Sequence, residues 1–425
     1  MAQGDARQKE RARKLARMAS GAAPGGAPVD GPFYLDTRLI GAEAEGGALS
    51  VQVARTMAEV EALEAEWREL EEASGRDTHA FQSFDWCHAW GSTCLGEGRE
   101  PFILVVRSAG RVVLLWPMMR CRLGPLTALS WFSDPFSQYG DVLTALSGAA
   151  LEDALGAAWE RVRRERGLDI VRLRHVRADA NIRPWLEGAF RRAAWADGAP
   201  WMDLSRFADE AAYERRYSRT QRRRRKKIEK RLERACGGPV SFSLVARGQG
   251  LEGQIAALIG AKRAWLAERG LHSRPLNDPR IEGFLRRLPA GEGGRGLRLV
   301  VSRMEAGGRA VSWELGFRYR GRHYGYVTAH DGALTDLSPG RLHMDFSQKR
   351  ALGDGMSVFD LLVPAAPHKK SWSSDVEPVC DFFRPLSLFG RILGEGYLLH
   401  LRPALRRLYQ EMPEALRRRL PLPGR

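Results

Sequence analysis

The chain has no CxxC pair. Its five cysteines, Cys87, Cys94, Cys121, Cys236 and Cys380, are odd in number and irregularly spaced. That argues against a disulfide frame or a zinc site and for reduced thiols. No apolar run reaches the roughly 18 residues of a membrane span. The best, PFILVVRSAGRVVLLWPMM, is interrupted by Arg107 and Arg111. The N-terminus lacks the apolar core of a signal peptide, so a cytoplasmic location is expected. There is no GxxxxGK loop for a nucleoside triphosphate, no HExxH zinc motif and no GxSxG nucleophile elbow. Neither a heptad repeat nor an internal sequence repeat is visible. GEGGRG at 291–296 is glycine-rich, but no strand precedes it, so it reads as a connector.

What is present is a globular composition. Hydrophobic residues make up 44% of 425 residues, with twelve Trp, which suits two or three domains. The net charge of +16 is concentrated. Residues 1–20 carry +4 and residues 391–425 carry +5. Residues 217–234, YSRTQRRRRKKIEKRLER, hold ten Lys or Arg against two Glu, a net +8. The rest is close to neutral. The body is therefore a balanced globule with three basic segments rather than a uniformly basic nucleic-acid binder.

Periodicity orders the chain. Residues 1–32, rich in Ala, Gly, Pro and charge, read as a disordered basic tail. LSVQVART is a strand and 58–73 an acidic amphipathic helix. FQSFDWCHAW opens a helix capped by Ser83, with Trp86 and Trp90 one turn apart. PFILVVRSAGRVVLLWPMM supplies two strands around Ser108-Ala109-Gly110. ALSWF, YGDVL, DIVRLRHV and PWMDL are further strands, and 150–166 is a helix. A basic helix opens near 208, with Tyr213, Tyr217, Ile228 and Leu232 on one stripe and Gly237-Gly238-Pro239 as its stop. VSFSLVA, helices at 250–268 and 278–288, and the strands LRLVVSRM, RAVSWELGFRYR and RHYGYVTAH follow, then a helix from Ser338-Pro339-Gly340 and the strand SVFDLLV. The tail after 386 is helical and basic. The two halves share one element order, which suggests an internal duplication.

The segment with chemical content is 322–372. A strand runs into a polar loop, and a helix begins at Ser338-Pro339-Gly340-Arg341-Leu342. Pro suits the first helical turn, and Ser before it is expected to cap. Gly340 removes a side chain where a ligand would approach. A helix start beside Arg341 suits a phosphate or diphosphate, although the spacing alone describes any capped helix.

This segment resembles the acetyltransferase domain of the GNAT superfamily found in CelD-like proteins, associated with cellulose and exopolysaccharide synthesis, and related to Fem-type aminoacyltransferases. The resemblance rests on Ala329-His330-Asp331, the Ser338–Leu342 run, Phe359-Asp360 and His368-Lys369-Lys370-Ser371-Trp372. His368 departs from the Tyr common in that box, and Pro364-Ala365-Ala366-Pro367 replaces a Gly-Asp stretch. Weaker agreement comes from Phe81 to Trp86, Trp116-Pro117, Tyr139-Gly140-Asp141 and the basic helix. The resemblance covers about 50–385.

It implies an α/β (α+β) fold of two tandem GNAT-like lobes, each a mixed, mostly antiparallel sheet flanked by helices. The expected limits are a basic tail at 1–32, a degenerate N-terminal lobe at 45–205, a C-terminal acetyltransferase-like lobe at 206–385 and a basic helical tail at 386–425. It implies acetyl-CoA or another acyl-CoA as co-substrate, held by Ser338, Pro339, Gly340, Arg341 and Leu342, and no metal. Acyl transfer to an amine needs a base, a polarised carbonyl and a protonated leaving thiolate. His330 and Asp331 are expected at the strand end where a base meets the acceptor. Tyr326 is expected to protonate the thiolate, and Lys369 and Asp360 to form an ion pair nearby.

Three functions compete. The first, favoured, is an acyl-CoA-dependent N-acyltransferase acting on a sugar, polysaccharide precursor or envelope-related small molecule. The second is a Fem-like transferase using aminoacyl-tRNA, contacted by 217–234. The third is a non-catalytic protein at an anionic membrane surface, anchored by its basic segments.

Overall fold

The computed structural model describes residues 48–412, apart from 97, 247, 249, 292–293, 402–403, 406–407 and 409–411. The expected N-terminal tail lies outside the described residues. β1 (Ser50–Ala54) leads into α1 (Met57–Ala62), α2 (Glu64–Ser74), a 3-10 segment (Asp77–Gln82) and α3 (Phe84–Cys94). β2 (Glu100–Ser108), β3 (Arg111–Leu123) and β4 (Leu126–Trp131) form a meander, followed by β5 (Leu143–Thr144), α4 (Gly148–Arg163), β6 (Ile170–Arg177), α5 (Arg183–Ala189) and β7 (Arg191–Asp203). Then come α6 (Glu210–Arg215), α7 (Arg219–Cys236), β8 (Val240–Leu244), α8 (Leu251–Glu268), α9 (Arg274–Asn277) and α10 (Ile281–Arg287). A second meander, β9 (Arg298–Ala306), β10 (Arg309–Tyr319) and β11 (Arg322–His330), precedes α11 (Pro339–Gly353), β12 (Val358–Asp360), α12 (Pro367–Lys370) and β13 (Asp375–Pro385).

All thirteen strands join one mixed sheet, flanked by helices. Its order is β1-β2-β3-β4-β6-β13-β7-β12-β11-β10-β9-β8, with β5 attached to β3. The order is a palindrome. From either edge one meets an edge strand, a three-stranded meander, a strand paired in parallel to the meander's last member, and then the final strand of the other half. β13 runs antiparallel to both β6 and β7, and β7 also pairs Trp201–Asp203 with β12. The two halves thus exchange their last strands, and the link near 205 marks no gap in the sheet.

Most elements follow their local sequence, with five exceptions. The acidic helix breaks at Leu63, where α1 ends and α2 begins. YGDVL yields only Leu143–Thr144 as strand, and SVFDLLV only Val358–Asp360. The basic helix is two helices, with Tyr217 between them. β13 was not legible: Pro378 within DVEPVCDFFRP argues against an interior strand. The sheet accepts it because Pro378 faces β6 just outside their ladder, which begins at Val379↔Arg177, so no N–H is required there. Its carbonyl accepts from Ala178 N at 2.8 Å, and a register shift follows between Cys380 and Phe382.

Ser83 caps α3 as its position predicts, accepting from Trp86 N. Trp86 and Trp90 are fully buried, and Trp86 meets Phe284 and Phe317 edge-on at 4.9 and 5.2 Å. The N-terminal half therefore packs its aromatic helix against the meander and α10 of the C-terminal half.

Glu71 lies in the same junction. Its carboxylate accepts from Phe84 N at 2.5 Å and from Tyr319 Oη at 3.3 Å. Burial nevertheless pushes its pKa up to about 7 from an ordinary 4.5. A carboxyl whose folded pKa is raised holds its proton better when folded. Its contribution is thus fully present below the unfolded value and is lost as pH rises through about 7. The loss is at most about 3 kcal/mol. The melting temperature of Glu71→Gln is expected to fall less between pH 5 and 8 than that of the parent protein. Parallel melting curves would refute the assignment.

The basic tract lies on the body as a capped helix. Ser218 and Gln221 form a reciprocal cap at the start of α7, and Gly237 (φ 75°) ends it in the left-handed conformation. Tyr213, Tyr217, Ile228 and Leu232 are buried, as their spacing requires. Eight of the ten cations (Arg219, Arg223, Arg224, Lys226, Lys227, Lys230, Arg231 and Arg234) are exposed. Arg225 turns inward instead. Its guanidinium lies 3.1 Å from the Tyr217 ring centroid, 5.3 Å from that of Trp372, and 3.3 Å from the Asp345 carboxylate on α11. Arg222 is half-buried and donates to the Tyr217 carbonyl at 2.7 Å, so the helix braces α11 with Arg225 and presents the eight exposed cations to solvent.

The basic tail begins with the helical segments Leu388–Gly390 and Arg391–Leu401. Among the described residues, no helix is long and apolar enough to cross a membrane.

Candidate active site

The two halves treat the same point of their topology differently. In a meander followed by a parallel strand, the last two strands pair at one end and splay at the other. β4 pairs with β6 through Ala128↔Ile170 and Leu129↔Val171. Beyond that, Trp131 donates its indole N–H to the Arg174 carbonyl at 2.8 Å and so spans the gap. The loop through Gly140 seals it: Gly140 N donates to His175 O at 3.2 Å. A Cβ at Gly140 would lie 2.0 Å from the Trp131 ring nitrogen, so only glycine fits there.

β11 pairs with β12 through Arg322↔Val358, His323↔Phe359 and Tyr324↔Asp360. After Tyr324 the strands part around a cleft of about 480 Å³. Gly325, Tyr326, Val327 and Thr328 form its β11 wall, and Gly340, Arg341 and Met344 of α11 face them. Lys262, His368, Lys369 and Trp372 complete the polar and aromatic lining. The cleft is open where the N-terminal half is plugged with tryptophan.

The start of α11 differs from its expected form. Ser338 adopts the left-handed conformation (φ 58°) and makes no side-chain cap. Four amides at a helix start lack an intrahelical i−4 partner. Ser338 N donates to Thr335 O at 3.0 Å, Pro339 has no N–H, and Arg341 N donates to Ser338 O at 3.1 Å. That leaves the Gly340 amide as the open donor of this turn. A Cβ at Gly340 would meet nothing within 4 Å. One amide, the positive end of a 15-residue helix and the Arg341 side chain therefore face the cleft. Leu342 points into the core at 3% exposure.

The remaining candidates separate into two groups. Tyr326 and Lys369 line the cleft. Tyr326 Oη donates to the Phe136 carbonyl at 2.9 Å, and burial raises its pKa. Its proton is therefore already committed to the N-terminal half. Lys369 Nζ donates to the Leu362 and Val363 carbonyls at 3.0 and 3.2 Å. Burial pushes its pKa down to about 8, so the ammonium still predominates at pH 7.

His330, Asp331 and Asp360 are not among the lining residues. Asp331 caps the 3-10 turn Gly332–Leu337 through Ala333 N and pairs with Arg309. His330 contacts Thr335 Oγ1 at 3.2 Å, and burial lowers its pKa.

The Lys369–Asp360 ion pair does not form. Asp360 is wholly buried. It accepts from Tyr139 Oη at 2.7 Å, Leu362 N at 2.8 Å and Arg322 at 3.1 Å, and lies 3.6 Å from Arg177. Two arginines satisfy it better than a lysine that two carbonyls already hold. Asp360 is the charge centre of a network joining β12, β11, β6 and the Tyr139 loop.

Two cleft residues were missed as site residues. In the motif, His368 is only a departure from a Tyr position. Burial and the charges of Lys369 and Lys262 lower its pKa, so its imidazole is neutral at pH 7. Lys262 sits on α8, remote in sequence from every motif, and nothing in its local pattern marks it.

Comparison with known proteins agrees with this geometry. Residues 216–370, about a third of the chain, match the family model of the acetyltransferase (GNAT) domain. The protein is an acyltransferase. The match includes α7 and every lining residue of the open cleft but Trp372, and ends before β13. The crystal structure of FemX superposes with a TM-score of 0.53 at 11% identity, covering 81% of this chain and 97% of that one. The two chains share a fold. A tandem GNAT protein from the clavulanic acid biosynthesis pathway aligns with a TM-score of 0.47 at 12% identity, over 80% of this chain and 99% of its own. No curated protein matches the acyltransferase.

Proposed function

We propose that the protein is an acyl-CoA-dependent N-acyltransferase, with acetyl-CoA as donor and an amine on a sugar, polysaccharide precursor or envelope-related small molecule as acceptor. The observation that carries this reading is the open turn at Gly340, facing a splayed β11 across the cleft. GNAT domains use acyl-CoA, and the lining suits one. The Gly340 amide and Arg341 attract its phosphates, and the unpaired stretch of β11 after Tyr324 offers backbone groups to its amide-rich arm. A bound thioester supplies an activated acyl carbonyl.

The chain's own groups do the rest. His368, neutral at pH 7, takes the proton that the acceptor amine loses as it becomes an amide. Lys369, held by two carbonyls, places its positive charge in the cleft, where it stabilises negative charge developing on the carbonyl oxygen and on the departing sulfur. Trp372 and Met344 exclude water on the α11 side. The acceptor class rests on the CelD-like resemblance, and cytoplasmic placement suits such a donor.

Acetyl-CoA is expected to raise the melting temperature of the protein. His368→Gln is expected to lower kcat/KM about 100-fold with the acetyl-CoA shift unchanged. It should also remove the activity loss that His368 protonation causes at acid pH, below the ordinary histidine range. An unaltered rate and acid limb in that variant would remove His368 from the mechanism.

A second reading has one observation in its favour. The eight exposed cations of α7 form a continuous basic face of the kind that binds RNA phosphates. An aminoacyl-tRNA donor would then bind with an affinity falling by a log–log slope of roughly −0.7 to −0.9 per phosphate contact as salt rises. Filter binding with tRNA, alongside the acetyl-CoA melting experiment, separates the two donors.

A further inference from the structure

A second cleft, of about 390 Å³, lies in the N-terminal half, where the ends of β3 and β4 and residue Arg172 of β6 meet the segment 272–279. Its chemistry differs from that of the first. Arg99, Arg122, Arg172, Arg274 and His272 line it, with Asp134 and Asp278 as the carboxylates of its wall. Both carboxylates are engaged by arginines that do not line the cleft. Asp278 is held by Arg280 through Nε at 2.9 Å and Nη2 at 2.8 Å, and Asp134 by Arg174 at 3.0 Å.

Of the four arginines of the wall, Arg172 lies 3.9 Å from the Asp381 carboxylate, and the other three are not so matched. Arg99 donates to the Cys94 carbonyl at 3.3 Å and Arg122 to Thr127 Oγ1 at 3.0 Å, both neutral acceptors. Among the described residues, Arg99, Arg122 and Arg274 have no carboxylate within ion-pair distance. Several guanidiniums gathered around one concavity repel one another and raise its potential, a cost that an anion removes. The floor is apolar, formed by Met119, Ala128 and Phe136, and so accommodates an organic body as well as a charge. Planar guanidiniums suit the bidentate recognition of phosphate oxygens.

We infer that this cleft is a binding site for an organic phosphate or diphosphate, separate from the cleft at Gly340. The site draws on both halves. β3, β4 and β6 supply its base, and the segment 272–279 closes over it. The same segment turns Leu276 toward the Gly340 cleft, so it forms the partition between the two. The inference does not depend on acyl transfer, since its wall contains none of the residues assigned to that reaction.

The test uses the full chain and inorganic pyrophosphate, with melting temperature and isothermal titration as readouts. Arg122 and Arg274 are exposed, so Arg122→Glu/Arg274→Glu tolerates reversal without burying charge. Pyrophosphate is expected to stabilise the parent protein, and the double variant to weaken its binding at least tenfold, about 1.4 kcal/mol, with the acetyl-CoA shift intact. Arg122→Gln/Arg274→Gln, which removes charge without reversing it, should fall between. Comparing UDP with glucose 1-phosphate then distinguishes a nucleotide diphosphate from a sugar monophosphate. Three results would each overturn the proposal. They are the absence of binding to the parent protein, equal binding by parent and both variants, and loss of the acetyl-CoA and pyrophosphate shifts together. Equal binding would place the anion elsewhere, for instance on α7. Joint loss would make this cleft part of the thioester site.

Discussion

Gly340→Trp is expected to abolish the acetyl-CoA melting shift and to reduce kcat/KM by at least about 100-fold, close to 3 kcal/mol of binding and transition-state stabilisation. The physical reason is local. A side chain at 340 projects into empty space, so the indole enters the cleft mouth without disturbing the core. The same ring covers the one open amide of the turn. Stability in the absence of ligand should change by no more than about 0.5 kcal/mol, which separates a blocked site from an unfolded protein. Gly340→Ala serves as the graded control. Its methyl group also meets open space, so binding should fall only a few-fold, and the helix gains up to about 1 kcal/mol from a better helix former. Undiminished acetyl-CoA binding by Gly340→Trp would exclude the Gly340 turn as the carrier's seat.

Asp360→Ala should produce the largest stability loss, about 3–5 kcal/mol, because it leaves buried arginines without their shared counter-charge. Arg322 and Arg177 keep Asp77 and Asp179 as second partners at 3.0 and 2.8 Å, which places the loss toward the lower end. Asp360→Asn retains an acceptor for Tyr139 and Leu362 but not the charge, and should be intermediate. Denaturant unfolding measures the effect. The activity readout distinguishes a structural from a catalytic role. At temperatures where Asp360→Asn remains folded, its acetyl-CoA affinity should match the parent's. A stable Asp360→Ala protein that has lost only catalysis would reverse the assignment.

The contrast between Asp360 and His368 shows where sequence reasoning reached and where it stopped. The motif carrying Phe359-Asp360 was visible, but its role depends on Tyr139, Arg177 and Arg322, which are 221, 183 and 38 residues away in the chain. No local pattern reports a charge network of that span. His368 stood beside Lys369 in plain view, yet it counted as a defect in a motif until the cleft was seen to include it. Ser before Pro predicts a cap at Ser338. Its left-handed backbone instead turns the carbonyl onto Arg341 N and leaves Gly340 as the open amide of this turn.

The symmetry of the molecule was half legible. The shared element order suggests duplication, and the strands of both meanders follow from short apolar runs and glycine links. The exchange of β7 and β13 was not available, because strand pairing between residues 170–203 and 375–385 is set by long-range backbone hydrogen bonds that leave no periodic trace. Nor was the difference between the two splayed gaps. Trp131 and Gly140 are ordinary residues until the fold sets them against each other.

The sequence by itself determined most of the helices and strands, where α7 ends and α11 begins, that the +8 charge of residues 217–234 flanks a narrow apolar stripe, and that 322–372 is the segment to search for chemistry. Those are properties of residues within a few positions of one another, governed by periodicity, capping and charge. The tertiary structure alone decided that one half is plugged and the other open, that Asp360 binds arginines while Lys369 faces the cleft, and that Arg99, Arg122, Arg172 and Arg274 meet around a common hollow. Each of these depends on contacts between distant parts of the chain, and only packing brings those parts together.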